Sequence, residues 1–542
     1  MRTIFAACLL ALGAANAAIA APPELKSLSP AGAQRGTATT ITAVGTFPKW
    51  PVQAWVSGDG VRLEPLKDKG KFTANVDRDA APGVRWVRLI GDDGASKVRP
   101  LVISSLPETA EKETNDLLET PHAVEALPTI VNGVLAKAGD VDTYRVSLKR
   151  GQTFIASLDA NTDLGSPIDA VLQLVDSKGF VFDQNHDDRV LDPRIVRTID
   201  RDGDLYVRVF AFPSDPNSSI RFHGAADAIY RLTLTVGPYV DHAFPPVVAA
   251  DGSKSSVELQ GWNLPTTAIN APTNAPEPLT PVALDLPQGT AGSALTMTAD
   301  LPLIAEQEPN DREQPQTIAT PGLVVGRIAS SSDQDAFHVT WQKGQTWRIR
   351  AQSKLWGFNV DPLVYLYDKS GTQLFRSDDA GRGNPDSDTT FKVLVSGTYK
   401  IVVEDLLGGA TLRHSYLLDI RPQDADFALA VTEAEFAATA GKPLEIPVTI
   451  ERPSGMTADV TVKVLGLPKA LGEPQAVSSG KGEAAKKVTL RIPASAAFSG
   501  PIRIVGVAAN DMKPRRLAVA PVAGIASARL VDLWLTIPPP KK

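Results

Sequence analysis

The chain has 542 residues, 43% hydrophobic and 21% charged, which is ordinary globular material and enough for roughly three to five domains. Its 43 Pro and 41 Gly, set against 8 Trp, 8 Tyr and 17 Phe, describe many short elements separated by turns. A net charge of −6 with no long basic run argues against nucleic acid or an anionic membrane as partner, since both need a concentrated positive footprint.

Residues 1–20 have the pattern of a secretory signal peptide. Met1-Arg2 gives a positive start, Ile4 to Ala15 is apolar, and Ala18-Ile19-Ala20 is an A-x-A cleavage pattern. Cleavage there removes Cys8, the only cysteine, so neither disulfides nor Cys–metal sites are expected in the mature chain. The expected location is secreted, periplasmic or at the cell surface, with no membrane insertion.

Two duplications organise the remainder of the chain. A small segment, 21–105, carries Pro30, Gly36, Gly45 and Pro48 around the strand-like Thr39–Val44. It is paralleled in 238–303 by Pro246, Gly252, Gly261 and Pro265 around 255–260. Each is followed by a longer segment, 106–237 and 304–422, and these match more closely. Glu111-Lys112-Glu113-Thr114-Asn115-Asp116 matches Glu306-Gln307-Glu308-Pro309-Asn310-Asp311, and Asp140-Val141-Asp142 matches Asp333-Gln334-Asp335. Gly151-Gln152-Thr153-Phe154 matches Gly344-Gln345-Thr346-Trp347. An Asp-x-x-Gly follows in each (Asp176 to Gly179, Asp368 to Gly371), then paired acids (Asp187-Asp188, Asp378-Asp379). So many shared spacings mark a duplicated module. A last, unrepeated segment covers 423–542. Short runs such as Tyr144–Leu148, Val364–Tyr367, Glu445–Ile450, Val460–Val464 and Lys487–Ile492 alternate or are β-branched, with turn residues between them. The expected fold is all-β, a string of about five β-sandwich domains.

No H-E-x-x-H, G-x-S-x-G or G-x-x-x-x-G-K-[ST] occurs, and the six His are scattered without metal-ligand spacing. The chain therefore reads as a non-enzyme. The informative groups are acids. Glu-x-Glu-x-Asn-Asp puts four oxygen-bearing side chains within six residues, and a hard cation such as Ca²⁺ takes 6–8 oxygen ligands. Asp140 with Asp142, and Asp333 with Asp335, could complete each set from a neighbouring turn. The plainer alternative is solvated acids that cap turns.

The longer segments resemble the bacterial pre-peptidase C-terminal domain. The likeness rests on Glu113, Asn115 and Asp116 (Glu308, Asn310 and Asp311 in the second copy), on the Asp-x-Asp-x-aromatic strand start, and on Asp-x-x-Gly. It implies a jelly-roll-like sandwich. By likeness to the related collagen-binding domains, it also implies calcium ligation by Glu111, Glu113, Asn115, Asp116, Asp140 and Asp142, and by Glu306, Glu308, Asn310, Asp311, Asp333 and Asp335. Thr114 stands where the second copy has Pro309, which predicts a less rigid first linker. The small segments resemble IPT/TIG-type immunoglobulin-like domains, and 423–542 resembles an immunoglobulin-like segment. These likenesses imply an exported binding, adhesion or scaffold protein stiffened by calcium, with an extracellular protein or polysaccharide as partner. The alternative is a carbohydrate- or protein-binding accessory subunit of an exported degradative complex, which exposed tryptophans on one sheet face would favour; Trp341, Trp347 and Trp356 cluster in sequence, and the alternation in Trp347-Arg348-Ile349-Arg350 favours the core for Trp347. A hydrolase using a carboxylate pair is a third reading, and needs two acids facing a cleft with one pKa raised.

Overall fold

The computed structural model describes residues 21–215, 221–249, 256–271, 281–381, 383–423, 426–439, 441–452, 455–509 and 515–539. The signal-peptide reading of residues 1–20, together with Cys8, lies outside them, as does Gly252. The fold is all-β, a series of β-sandwiches of short strands. Alternation sets the faces. Along Lys71–Val76, for example, Phe72, Ala74 and Val76 enter the core while their neighbours point out.

The two larger modules repeat each other strand for strand. In the first, one sheet runs in the order Glu108–Ala110, Thr129–Val134, Ile229–Thr235, Thr153–Asp159, Arg194–Thr198. The other runs His122–Ala123, Asp142–Leu148, Gly203–Pro213, Ile168–Val175, Val181–Asn185. In the second module the sheets run Leu303–Ala305, Gly322–Arg327, Ser415–Pro422, Thr346–Gln352, Ser387–Lys392, and Gln316–Thr317, Asp335–Trp341, Gly397–Asp405, Pro362–Tyr367, Gln373–Ser377. In both, the first strand of each sheet is parallel to its neighbour and the remaining pairs are antiparallel. The acidic segments 111–116 and 306–311 thus run between the edge strands of the two sheets of each module, which brings their carboxylates to the end of the sandwich.

Trp341 and Trp347 are buried and stacked 5.4 Å apart in the core of the second module, as the alternation at Trp347 favoured, so an exposed tryptophan cluster that would favour the accessory-subunit reading does not form there. Both rings lie on the inward side of alternating strands, where burying their area outweighs any use at the surface. Trp55 meets Trp534 of the C-terminal sandwich with ring centroids 5.9 Å apart.

That contact belongs to a return of the chain on itself. The Arg88 guanidinium, 1% exposed, donates to the Ser96 carbonyl at 2.9 Å and to Glu435 at 3.2 Å. Gly165 of the first larger module lies so close to Gly524 and Ile525 that a Cβ there would meet the Ile525 side chain at 2.9 Å. The string doubles back, and its last sandwich packs on its first two.

At the middle joint a single carboxylate collects charge from both larger modules. Asp241, 2% exposed, is ion-paired to Arg194 of the first and to Arg413 of the second. The Arg413 Nε donates to it at 2.7 Å, and His242 Nδ1 lies 2.7 Å away. Burial alone would raise its pKa. The hydrogen bonds from His242 and Arg413, with the two guanidinium charges, outweigh that and hold the carboxyl well below the usual range. Arg194 also lies over the rings of Tyr239 and Trp262, 4.9 and 5.5 Å from their centroids. Removing the acid would leave two buried guanidiniums without a counter-charge. Asp241→Ala should therefore destabilise the joint by about 3–5 kcal/mol, read as an earlier first transition in calorimetric melting with the later transitions retained.

Candidate functional site

Each larger module closes its acidic linker over a buried polar floor. In the first, the backbone N–H of Val134 donates to Glu111 at 2.8 Å, and Thr143 N–H donates to the Asn115 carbonyl at 2.9 Å. These bonds fix the linker between two sheets. In the second, Arg327 N–H to Glu306 (2.7 Å) and Ala336 N–H to the Asn310 carbonyl (2.7 Å) repeat them. The Glu113–Thr114 and Glu308–Pro309 peptide bonds are both cis.

Below the linker, Glu111 and Asp142 converge on one hydroxyl. Tyr230 Oη lies 2.5 Å from Asp142 and 3.3 Å from Glu111, and also 2.5 Å from the Tyr144 hydroxyl. In the second copy Tyr416 Oη lies 2.7 Å from Asp335 and 3.4 Å from Glu306. These tyrosines escaped the sequence reading. The available signal was a Tyr-x-Leu at the same register in both copies (Tyr230-Arg231-Leu232, Tyr416-Leu417-Leu418). Gly133 and Gly326 make room for them, since a Cβ at either would sit 2.2–2.3 Å from the tyrosine ring.

Above the floor the carboxylates crowd together. In the first copy one oxygen each of Glu113, Asp116 and Asp140 lie within 4.8 Å of one another; in the second the three are Glu308 and the floor acids Glu306 and Asp335, so the two clusters share only the position of Glu113 and Glu308. Asn115 is fully buried. One end of its amide is 3.0 Å from Asp142 Oδ1 and 3.1 Å from Glu113 Oε2. With nitrogen at that end it donates to both; with oxygen there, three oxygens face one another and need a cation between them. Asn310 donates to Glu306 at 3.0 Å, leaving its buried Oδ1 unpartnered. Asp116 Oδ1, Asp140 Oδ1 and Asp335 Oδ1 are likewise buried without a hydrogen-bond donor. Orphaned, convergent, hard oxygens are the donor set that a Ca²⁺ site requires.

The structure therefore brings ten of the twelve residues singled out from sequence into these clusters or their floors, and treats two differently. Asp333 lies outside the second cluster; it accepts from the Ala329 N–H at 2.5 Å, as Asp140 does from the Ala136 N–H at 2.6 Å, and its charge acts on Glu308. Asp311 is exposed and influences Glu308 through its charge alone. The copies also differ at the rim. Lys137 Nζ lies 3.1 Å from Asp116 and 3.7 Å from Asp140, whereas Ser330 occupies the matching position in the second copy.

Burial raises the pKa of Glu111 and Asp142, and each is raised further by neighbouring acids, Glu113 for the first and Glu111 for the second. Asp335 is raised by burial and then by Glu306, and Glu308 by burial and its acidic neighbours.

No known family matches the sequence, and no curated protein matches it. Among solved structures, the pre-peptidase C-terminal domain of a collagenase from Bacillus anthracis is similar to 20% of this chain and 93% of its own, at 13% identity and a TM-score of 0.17. Immunoglobulin domains 1–4 of Sidekick-1 align over 90% of this chain and 96% of theirs, at 10% identity and TM-score 0.21. A Bacteroides ovatus protein of a mixed-linkage glucan utilization locus, SGBP-B, solved with a heptasaccharide, aligns over 69% and 72%, at 7% identity and TM-score 0.13.

The raised acids set a pH dependence. A carboxyl whose pKa is higher folded than unfolded makes the native state bind more protons. These clusters should therefore stabilise their metal-free modules most at low pH, a contribution lost as pH rises above the ordinary carboxylate range near 4. In EDTA, the transition belonging to these modules should fall by several degrees between about pH 5 and pH 8. The double variant Asp142→Asn with Asp335→Asn should flatten that slope.

Proposed function

We propose that the chain is a non-enzymatic, exported binding or adhesion protein whose two larger modules each take Ca²⁺ at the linker. The observation that carries this reading is that each copy has a close cluster of three carboxylates at the linker together with buried oxygens that lack a donor, those of Asp116 and Asp140 in the first and of Asn310 and Asp335 in the second. Glu111, Glu113, Asn115, Asp116, Asp140 and Asp142 would hold the ion in the first module. Glu306, Glu308, Asn310, Asp335 and, from the rim, Asp311 and Asp333 would hold it in the second. The ion would replace the protons that the crowded acids otherwise keep, and would tie the linker to the sheets on either side.

The energy suits a joint. With affinities of 10⁻⁴–10⁻³ M and about 2 mM Ca²⁺, mass action gives roughly 0.6–1.8 kcal/mol per site. That orders a linker and does not fold a chain. Glu111 and Asp142 meet at one tyrosine hydroxyl, whereas a glycosidase pair stands across a bound sugar, which speaks against the hydrolase reading. The partner class is an extracellular protein or polysaccharide. No helix among the described residues is long and apolar enough to cross a membrane.

The labelled mature chain should bind at least one class on arrays of polysaccharides and extracellular proteins, with the signal reduced severalfold by EDTA and restored by Ca²⁺. Turnover of an arrayed substrate, or an empty array in Ca²⁺, would overturn the binding reading.

A further inference from the structure

The joint between the second small module and the second larger one holds hydrogen-bond donors that have no acceptor. Arg327 ends the strand Gly322–Arg327, and its guanidinium carbon lies 4.2 Å from the ring centroid of Phe244, on the strand Tyr239–Phe244 of the small module. Its Nε and Nη2 are buried without a partner. Glu306 accepts from its backbone N–H only, and no carboxylate pairs with the guanidinium among the described residues. Ser415 stands directly across the strand pair from Arg327; it is fully buried, and its hydroxyl has no partner. Trp356 packs in the same apolar cluster as Phe244 and Leu417, and its Nε1 is buried without an acceptor. The turn that carries Trp356 is tied to the strand of Ser415, since Ser353 Oγ donates to the Ser415 carbonyl at 2.8 Å.

The first larger module shows what the fold alone asks of these positions. Val134 pairs with Ile229 as Arg327 pairs with Ser415, each pair set between the shared glycine (Gly133, Gly326) and the shared tyrosine (Tyr230, Tyr416). Asp192 and Asp386 each accept from three successive backbone N–H groups of the neighbouring turn, 160–162 in one copy and 353–355 in the other. Both turns end on a left-handed glycine, Gly165 after Leu164 and Gly357 after Trp356. Arg327, Ser415 and Trp356 thus stand where the first module has Val134, Ile229 and Leu164. There the three apolar side chains pack together with Ala31 of the first small module. Where one copy closes its joint with three apolar residues, the other has three donors. The Phe244 ring answers the charge of the guanidinium, but it leaves the Nε and Nη2 hydrogens, the indole N–H and the hydroxyl without the bonds they had in water.

We infer that this joint binds a small oxyanion, held by the Nε–Nη2 edge of Arg327, the indole N–H of Trp356 and the hydroxyl of Ser415. That edge of a guanidinium presents two parallel N–H groups, which match two oxygens on one sulfur, phosphorus or carbon atom. Apart from the hydroxyl the set can only donate, and it carries a positive charge, so it fits an anion and neither a cation nor a hydroxyl-rich neutral ligand. Because the donors are buried between two modules, the ligand is a small ion and not a polymer lying on the surface. Once bound, it fastens the second small module to the second larger one, the task that Val134, Leu164 and Ile229 perform by packing at the first joint.

The test titrates the mature chain, in a chloride buffer of constant ionic strength, with sodium sulfate and with inorganic phosphate, read by calorimetry and by melting. One saturable site is expected. At ten times its dissociation constant, the transition of the second larger module should rise by about 3–5 °C. Arg327→Lys keeps the charge but loses the fork, and should weaken binding about tenfold; Trp356→Phe removes only the indole N–H and should weaken it about fivefold. Arg327→Val with Ser415→Ile, the pair found in the first module, should abolish binding and leave the chain at least as stable in chloride. If that double variant does not fold, the two conservative variants decide. No saturable heat from either ion would overturn the inference, as would unchanged affinity in Arg327→Lys and Trp356→Phe. So would an equal rise in melting temperature in the parent and the double variant, the mark of general exclusion of sulfate from protein surface. Loss of sulfate binding in proportion to added chloride would overturn the oxyanion assignment.

Discussion

Like charges brought together under a roof of linker cannot all stay ionised without a cation, and that constraint governs each larger module. Glu111 and Asp142 share one tyrosine hydroxyl, as do Glu306 and Asp335, with a cluster of Glu113, Asp116 and Asp140 near the first pair and Glu308 beside the second. Protons or a divalent ion can relieve the repulsion. Either way, the acids hold the linker: its backbone is already hydrogen-bonded to the sheets through Glu111 and Asn115, or Glu306 and Asn310.

The duplicated modules separate what the architecture needs from what each copy does with it. Shared are the glycine that admits the tyrosine, the tyrosine itself, the buried asparagine and the floor aspartate. At the joint with the preceding small module, the first copy buries the ion pair Glu108–Arg231, and the second replaces both residues with Leu303 and Leu417 in the same register. A buried pair and an apolar pair of similar volume are interchangeable in stability, so such a swap costs the fold little. Lys137 gives the first cluster a partial counter-charge that Ser330 cannot supply to the second. A cation bound there would compete with Lys137 in the first module, where the second has Ser330.

Much of the fold was legible because it rests on local rules. Alternation at Lys487–Ile492 and Leu444–Glu451 reads out as strands whose inward residues form the C-terminal core. The acid clusters were legible because duplication repeats them. The floor tyrosines were not, since Tyr230 and Tyr416 lie about a hundred residues from the linkers they serve and only strand pairing brings them back. Asp241 was equally hidden: its partners Arg194 and Arg413 come from two different modules, and no local spacing links them. The tryptophans show the limit from the other side. Their clustering in sequence left surface and core both open, and alternation along Asp335–Trp341 and Thr346–Gln352 turns Trp341 and Trp347 inward.

Calorimetric titration of the metal-free mature chain with Ca²⁺ addresses the central claim most directly. The account predicts saturable heat from one site per larger module at dissociation constants of about 0.1–1 mM, the second module tighter than the first. One of the two sites should vanish when Asn310 and Asp311 are both replaced by Ala. No saturable heat up to about 10 mM, or heat unchanged in that variant, would contradict it, and the acids would then be proton-sharing turn chemistry alone.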